Sequence, residues 1–361
     1  MLIPVVCFSC GQCMAHIYKK YLELCEKKDP EYALKVLNVE RLCCRRTLFC
    51  HHDTIKILNY NIPETFTAIS KQDAESAYKY KYTNDYEQNK DPVRKYNNSM
   101  KELAINRAIA LAKIKVLNVL DIACGKAPDT TRFNNTGIFE HYTGIDANIE
   151  DSTIDTIVEY YDNIIRSMKS FRIFSGNLLT SRIDEVLTEG QALMNFGDNP
   201  NKRFNLITCF FALHYFVQFG FDKFLNQIYN MLEVNNSAFV ATIVNFDKVR
   251  YTQDSHSLYS ITNVNNSSIQ IGNTPVAIIE YIYNYPHGQI VNSPEFALEL
   301  TSFVKALESI FKGYSIELIP FEQMTKKSRA LWNKFKPNGL MLDTANKEMF
   351  NLYSVLIISK K

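Results

Sequence analysis

Apolar residues recur with two different periods along the chain, and the change of period divides it. Near the start, YKKYLELCEKKD (Tyr18 to Asp29) places them at helical spacing, and PEYALKVLNV (Pro30 to Val39) predicts a second helix with proline in its first turn. HDTIKILNYN (His52 to Asn61) predicts a third. Residues 63–95 lose any period; KQDAESAYKYKYTNDYEQNKDP is polar and rich in Lys, Tyr and Asp, as a linker would be. From about residue 96 the pattern changes again. Helix 99–113, strand 116–122, strand 141–145, helix 151–169 and strand 171–174 are expected in turn. Strand 204–211, helix 221–232, strand 237–244, strand 276–283, helix 295–312, strand 314–319 and strand 352–359 complete the series. Such alternation predicts an α/β domain on a parallel or mostly parallel sheet. Two polar stretches, 195–203 and 252–275, read as surface insertions.

Composition adds limits. With 46% hydrophobic residues, 22% charged residues and a net charge of +2, the chain has the balance of a soluble globular protein. No global field draws it to nucleic acid or membrane, so any RNA contact must come from local patches. The candidates are the cations of KKSRALWNKFK (Lys326 to Lys336) with Lys248 and Arg250, against the plainer reading of a solvated helix face. MLIPVVCF is too short to span a bilayer and lacks the charged start of a signal peptide, so no membrane partner is expected. An intracellular, reducing location follows. There the nine cysteines suggest metal rather than disulfides. Cys7, Cys10, Cys13, Cys25, Cys43, Cys44 and Cys50 crowd the first unit, while Cys124 and Cys209 stand alone. Three short helices bury little core, so a staple is expected. CFSC (Cys7 to Cys10) and the adjacent pair Cys43-Cys44 can supply four thiolates for a closed tetrahedral zinc site. Cys13, Cys25, Cys50, His51 and His52 compete as ligands, and buried free cysteines are the alternative.

MLIPVVCFSCGQ, RLCCRRTLF and ILNYN, across nearly all of residues 1–61, resemble the RNA polymerase subunit N family. This is the small zinc-binding core subunit of archaeal and eukaryotic nuclear polymerases. The resemblance implies Zn2+ on Cys7, Cys10, Cys43 and Cys44, a three-helix bundle without catalytic activity, and docking of residues 1–62 on the large polymerase subunits. Arg41, Arg45 and Arg46 would face a partner or balance the thiolates, or else form a solvated basic face.

In the second unit, VLDIACGKAPD (Val119 to Asp129) runs an apolar strand into a turn, where open α/β sheets bind ligands. Asp146, ending the next strand, is placed to accept from ribose hydroxyls, or else caps the following helix. With one glycine in the turn, a dinucleotide pyrophosphate site is not expected. YNNSMK (Tyr96 to Lys101), CFFALHYF (Cys209 to Phe216), VNSPEF (Val291 to Phe296) and LYSVLI (Leu352 to Ile357) join VLDIACG in an ordered set. From about 96 to 360 the set resembles the eukaryotic and viral mRNA cap guanine-N7 methyltransferases. That implies a Rossmann-like fold dependent on S-adenosylmethionine. Cofactor contacts would be Lys101, Ala123, Gly125, Asp146, Asn177 and Phe210. The cap guanine would lie among Asn97, His214, Tyr215, Glu295 and Tyr353, with His214, Tyr215 and Glu295 aligning it for transfer and Glu295 at a helix start. The family's turn usually has glycines where this chain has Ala123, Ala127 and Pro128, an Asp where it has Asn177, and a Gln where it has Phe210.

The combined expectation is a zinc-stapled three-helix domain (1–62), a linker (63–95) and a methyltransferase domain (96–361). Its partners would be the polymerase, the capped 5′ end of nascent mRNA and other capping-enzyme subunits. The alternatives are a non-catalytic polymerase subunit with a degenerate methyltransferase fold, or methyl transfer to another RNA position or a small molecule. Abundant Asn, Ile, Lys and Tyr suggest an AT-rich genome, and this fusion suits a cytoplasmic DNA virus or linear plasmid, which would place the protein in host cytoplasm or virion.

Overall fold

Strand β1 (Leu117–Ile122) is buried along its whole length, including the polar Asn118 and Asp121. Burial on both faces is why its sequence reads as a nearly continuous apolar run. It is the centre of an eight-stranded sheet in the order β10-β11-β6-β5-β1-β2-β3-β4. The strands are β2 (Phe139–Asp146), β3 (Ser170–Ser175), β4 (Ala192–Phe196), β5 (Leu206–Cys209), β6 (Ser237–Val244), β10 (Ser315–Pro320) and β11 (Tyr353–Lys360). β1 pairs in parallel with both β2 and β5, so the chain reverses its direction of travel across the sheet there. That reversal is a topological switch point, and ligands of open α/β sheets bind outside the carboxyl ends of strands at such points. β3 and β6 continue the parallel run, whereas β4, on β3, and β11, between β6 and β10, are antiparallel to their neighbours. The fold is a Rossmann-like α/β fold with a mixed sheet.

Alternate residues of each central strand enter different cores. Leu117 and Val119 of β1 join one, with Ala238 and Val240 of β6 and residues of helix α3 (Pro92–Ala112). Leu120 and Ile122, with Phe239 and Ala241, join the other, beneath α7 (Phe221–Met231) and α8 (Leu300–Ile310). The shorter helices α4 (Thr130–Asn134), α6 (Ile183–Glu189) and α9 (Phe321–Lys327) and the longer α5 (Asp151–Ser167) complete the layers. A separate sheet is formed by β7 (Ser260–Ile271), β8 (Thr274–Asn284) and β9 (Pro294–Leu298), all antiparallel.

The structure is a computed structural model describing residues 15–25, 29–41, 44–45, 48, 92–149, 151–190, 192–197, 199, 202–218, 220–246, 260–284, 294–327, 329 and 352–361. The chain divides into two compact units, Met1–Gln72 and Asp73–Lys361. In the first, α1 (Ala15–Cys25) packs on α2 (Pro30–Val36), whose Asp29 cap accepts from the Tyr32 N–H at 2.9 Å. Their small core contains Tyr18, Tyr21, Leu34, Cys44 and Leu48. The helix expected at 52–61, and Cys7, Cys10, Cys13, Cys43, Cys50, His51 and His52, lie outside the described residues.

Four sequence expectations need correction. The 252–275 stretch is no simple insertion, because residues 260–271 form β7. Its register shifts between Asn263 and Asn265, and a bulge of that kind destroys the period-two signal. The stretch at 195–203 overlaps β4, a five-residue edge strand too short to announce itself. Helix 295–312 begins instead at Leu300, and Glu295 sits in β9 opposite Tyr281. The helix cap is Glu299, whose carboxylate accepts the Thr301 and Ser302 N–H groups, each at 2.8 Å. Two glutamates four residues apart gave the same local signal, and only the second has the capping geometry. α3 also starts at Pro92, inside the stretch read as linker.

Candidate functional site

β1 ends in a turn built on left-handed backbone. Ala123, Gly125 and Ala127 have φ of 57°, 52° and 51°. Only glycine adopts that region without strain; each alanine costs about 1 kcal/mol. The positions where the resemblance calls for glycine at 123 and 127 therefore keep glycine's backbone conformation with a methyl added. The turn is tied to the end of β2. The Asp146 carboxylate accepts the Gly125 N–H at 2.9 Å through one oxygen and the Asn148 N–H at 2.9 Å through the other. Burial pushes the Asp146 carboxyl above its ordinary range, and these two hydrogen bonds oppose the shift. Cys124 is buried, and burial with the charges of Asp146 and Asp121 raises its thiol far from thiolate chemistry at neutral pH.

Below the turn, Asp121 accepts from the Tyr142 hydroxyl at 3.0 Å and the Thr208 hydroxyl at 2.7 Å, pinning β1 to β2 and β5. Burial first, then the charge of Asp129, pushes its carboxyl up to about 7. Asp129 is held by two cations, the Lys101 ammonium at 2.8 Å and the Arg132 guanidinium at 2.6 Å. Burial alone would raise the Asp129 carboxyl; the two cations outweigh it and hold it below the usual range. Lys101, on α3, also lies over the rings of Phe210 and Phe211, at 5.3 and 5.7 Å from their centroids.

Across β5 the lining turns aromatic. Phe211 has φ of 54°, a strained value for a bulky residue, and its N–H is accepted by the Thr242 hydroxyl at 2.5 Å. Its ring meets Tyr353 edge-on at 5.2 Å and Phe321 at 6.3 Å. Tyr353 opposes Val244 in register, so the antiparallel β11 brings its first residue to the carboxyl edge of the sheet. The following 3-10 helix (Leu213–Gln218) places His214, buried, against Tyr215 with ring centroids 4.1 Å apart. β9, which carries Glu295, packs on this helix, and its Leu298 bridges to Asn245 just beyond β6. Asn97 lies one turn before Lys101 on α3, and its buried Oδ1 has no hydrogen-bond partner among the described residues. Asn177 stands beyond β3, its Oδ1 accepting the Leu179 N–H at 3.0 Å.

Residues 68–347 match the family described as mRNA (guanine-N(7))-methyltransferase domain, and residues 2–58 match RNA polymerases N / 8 kDa subunit. The chain belongs to both families. In the N-terminal part it is 43% identical over 67 residues to DNA-directed RNA polymerase subunit Rpo10 of Methanopyrus kandleri, covering 18% of this chain and 89% of that protein. It is 47% identical over 66 residues to the RPABC5 subunit of DNA-directed RNA polymerases I, II and III of Brassica napus, covering 18% of this chain and 93% of that protein. Among solved structures, the plantazolicin methyltransferase BamL, in complex with a triazolic desmethylPZN analog and SAH, is similar at a TM-score of 0.46. Its identity is 13%, over 84% of this chain and 96% of that one. An S-adenosylmethionine-dependent methyltransferase from Clostridium acetobutylicum is similar at a TM-score of 0.41 and 12% identity, over 74% of this chain and 91% of that one.

In the guanine-N7 methyltransferase family domain, then, Ala123, Gly125, Asp146, Asn177, Phe210 and Tyr353 share the carboxyl edge of one sheet, with Lys101 joined to it through Phe210. In the subunit N family unit, Cys44 is buried at 2% exposure, and its three expected co-ligands lie outside the described residues. Sequence reasoning missed Asp129, Arg132, Phe211 and Thr242. DTTR (Asp129 to Arg132) has the i,i+3 spacing of a helical ion pair, which was available as a signal. Nothing local in the sequence marks Phe211 as left-handed.

Proposed function

We propose that the second unit binds S-adenosylmethionine and transfers its methyl group to N7 of the mRNA cap guanine, while residues 1–62 dock it on the large polymerase subunits. The observation that carries this is family membership over residues 68–347. The donor set suits the cofactor. Each Asp146 oxygen takes one backbone N–H and keeps a lone pair for a ribose hydroxyl. Lys101 spends one of its three donors on Asp129 and keeps others for a carboxylate. Asn177 would meet the adenine end with a neutral amide. When bound, S-adenosylmethionine supplies an electrophilic methyl on a cationic sulfur. Guanine N7 has a free lone pair, so no residue needs to remove a proton, and alignment with electrostatics suffices. Asn97 offers a buried acceptor, Glu295 an acceptor for the guanine edge, and Tyr215 and Tyr353 flat apolar faces. His214 orients rather than transfers a proton.

Purified chain with S-adenosylmethionine is expected to convert GpppA-ended RNA to the N7-methylated cap, and Glu295→Ala to abolish conversion. Absence of any N7-methyl product from the intact chain would overturn the assignment. The non-catalytic alternative draws on the alanine methyls at 123 and 127, where the family's turn usually has glycine. Zinc on Cys7, Cys10, Cys43 and Cys44 suits a four-thiolate donor set. Elemental analysis should return one zinc per chain, lost in a Cys43→Ser, Cys44→Ser double variant; full metal retention would refute that ligand set. Other capping-enzyme subunits are the further expected partners.

A further inference from the structure

β10 ends at Pro320, opposite Ser354, so α9 starts at the same carboxyl edge that holds Tyr353. The first residue of α9, Phe321, lies 5.8 Å from Tyr353, 6.4 Å from Tyr96 and 6.3 Å from Phe211, between ring centroids. The row of rings therefore leads from the proposed guanine site onto α9 and the start of α3. Phe321 and Tyr96 are buried, and the surface over them carries cations. Lys326 and Lys327 end α9, Arg329 follows, and Lys95 precedes Tyr96 on α3, which packs against α9. All four are exposed, and among the described residues none makes an ion pair. Among the described residues, some exposed cations elsewhere stand singly, as Lys113 and Lys305 do, and others are matched, as Arg166 is by Asp162, Arg182 by Asp184 and Lys169 by Glu140; here four stand together. The carboxylate of α9, Glu322, is at the opposite end of the helix, and its charge helps raise Tyr96, after burial, to about 12. Six residues of helix separate Phe321 from Lys327, roughly 9 Å at 1.5 Å per residue. Phosphates following a guanine seated at Tyr353 would meet these cations next.

We propose that Lys95, Lys326, Lys327 and Arg329 hold the phosphates of the RNA body behind the cap, making this face a single-stranded RNA track for the N7 transfer. The proposal rests on the cap-methyltransferase reading. The net charge of the chain is only +2, so the attraction is local and not a property of the whole molecule. Single-stranded nucleic acid binding loses about 0.7 in log-log salt slope per phosphate contact removed. A three-cation reversal should therefore flatten the slope by about two.

The test uses the full chain and two substrates, the dinucleotide GpppG and a GpppG-ended 20-nucleotide RNA, across a salt series. The intact chain should show a lower KM for the RNA than for GpppG, and the advantage should fade with salt. A Lys326→Glu, Lys327→Glu, Arg329→Glu variant should keep its GpppG kinetics, showing that it is folded. Its KM for the RNA should rise at least about tenfold at low salt. Equal KM values for the two substrates in the intact chain, or an unchanged RNA KM in the variant, would overturn the track. Loss of binding to an acidic polymerase partner with RNA kinetics intact would also overturn it, in favour of a protein-docking face. Fluorescence anisotropy with the same RNA reads the track independently of turnover. If the intact chain methylates nothing, salt-sensitive RNA binding lost in the variant still supports the track while the enzymatic reading fails, and absence of such binding overturns both.

Discussion

The two sides of β1 prepare a site in different ways. Toward β2 the fixed elements are charges and backbone amides. Asp146 ties the turn to the strand end, and Asp129 is gripped by Lys101 and Arg132. Toward β6 and β11 the fixed elements are rings. Phe211, Phe321, Tyr353 and Tyr96 meet at tilted or edge-on angles, and Phe211 among them sits on left-handed backbone. The polar side holds its geometry by strong directional bonds in a dry setting, where removing one member leaves another uncompensated. The aromatic side holds its geometry by packing, which redistributes a loss over many small contacts. Under the proposed function, the first would take the charged tail of the cofactor and the second the flat base.

That contrast is open to direct attack. The largest effect is expected from Asp129→Ala, which removes the buried carboxylate from the half-buried Lys101 and Arg132 and should cost about 3 kcal/mol. Thr242→Val, which deprives the Phe211 N–H of its acceptor, should cost about 1–2 kcal/mol. Urea unfolding followed by circular dichroism orders the two. Equal costs, or a larger cost for Thr242→Val, would mean that the polar side is not the more tightly determined one.

A smaller effect concerns pH. The Asp121 carboxyl is raised to about 7 in the folded chain, chiefly by burial, so its neutral form favours folding. Its contribution is complete below the ordinary carboxylate range and is lost as pH rises through about 7. Asp129 has the opposite sign, since its lowered carboxyl stabilises above the ordinary range and loses that contribution as pH falls. Asp121→Asn should therefore lessen the decline in urea midpoint between about pH 4 and 7 while leaving the acid limb. A variant profile running parallel to the parent would refute this account of the Asp121 cluster.

Much of the main sheet was legible because its strands are buried on both faces; strand 237–244 was placed to the residue. What escaped was set by tertiary contacts. β7 was hidden by a bulge among Asn and Ser residues, and β4 by its length. Glu295 was placed on a helix because Glu299, four residues later, makes the cap. The turn after β1 is the most instructive case. Its missing glycines argued against a dinucleotide site and departed from the family's turn, yet Ala123 and Ala127 take up the left-handed backbone that glycine would have favoured. Backbone conformation was retained where composition was not, and a sequence shows only the latter. The ion pair of Lys101 with Asp129 spans 28 residues, beyond any local pattern.

The central claim is that this alanine-bearing turn still holds S-adenosylmethionine, with Asp146 as the anchor. Isothermal calorimetry of the full chain with S-adenosylmethionine, beside an Asp146→Asn variant, tests it most directly. Saturable binding at one molecule per chain, weakened at least about tenfold in the variant by loss of a charge-assisted acceptor, is the predicted result. No binding by the parent chain at millimolar cofactor would contradict it.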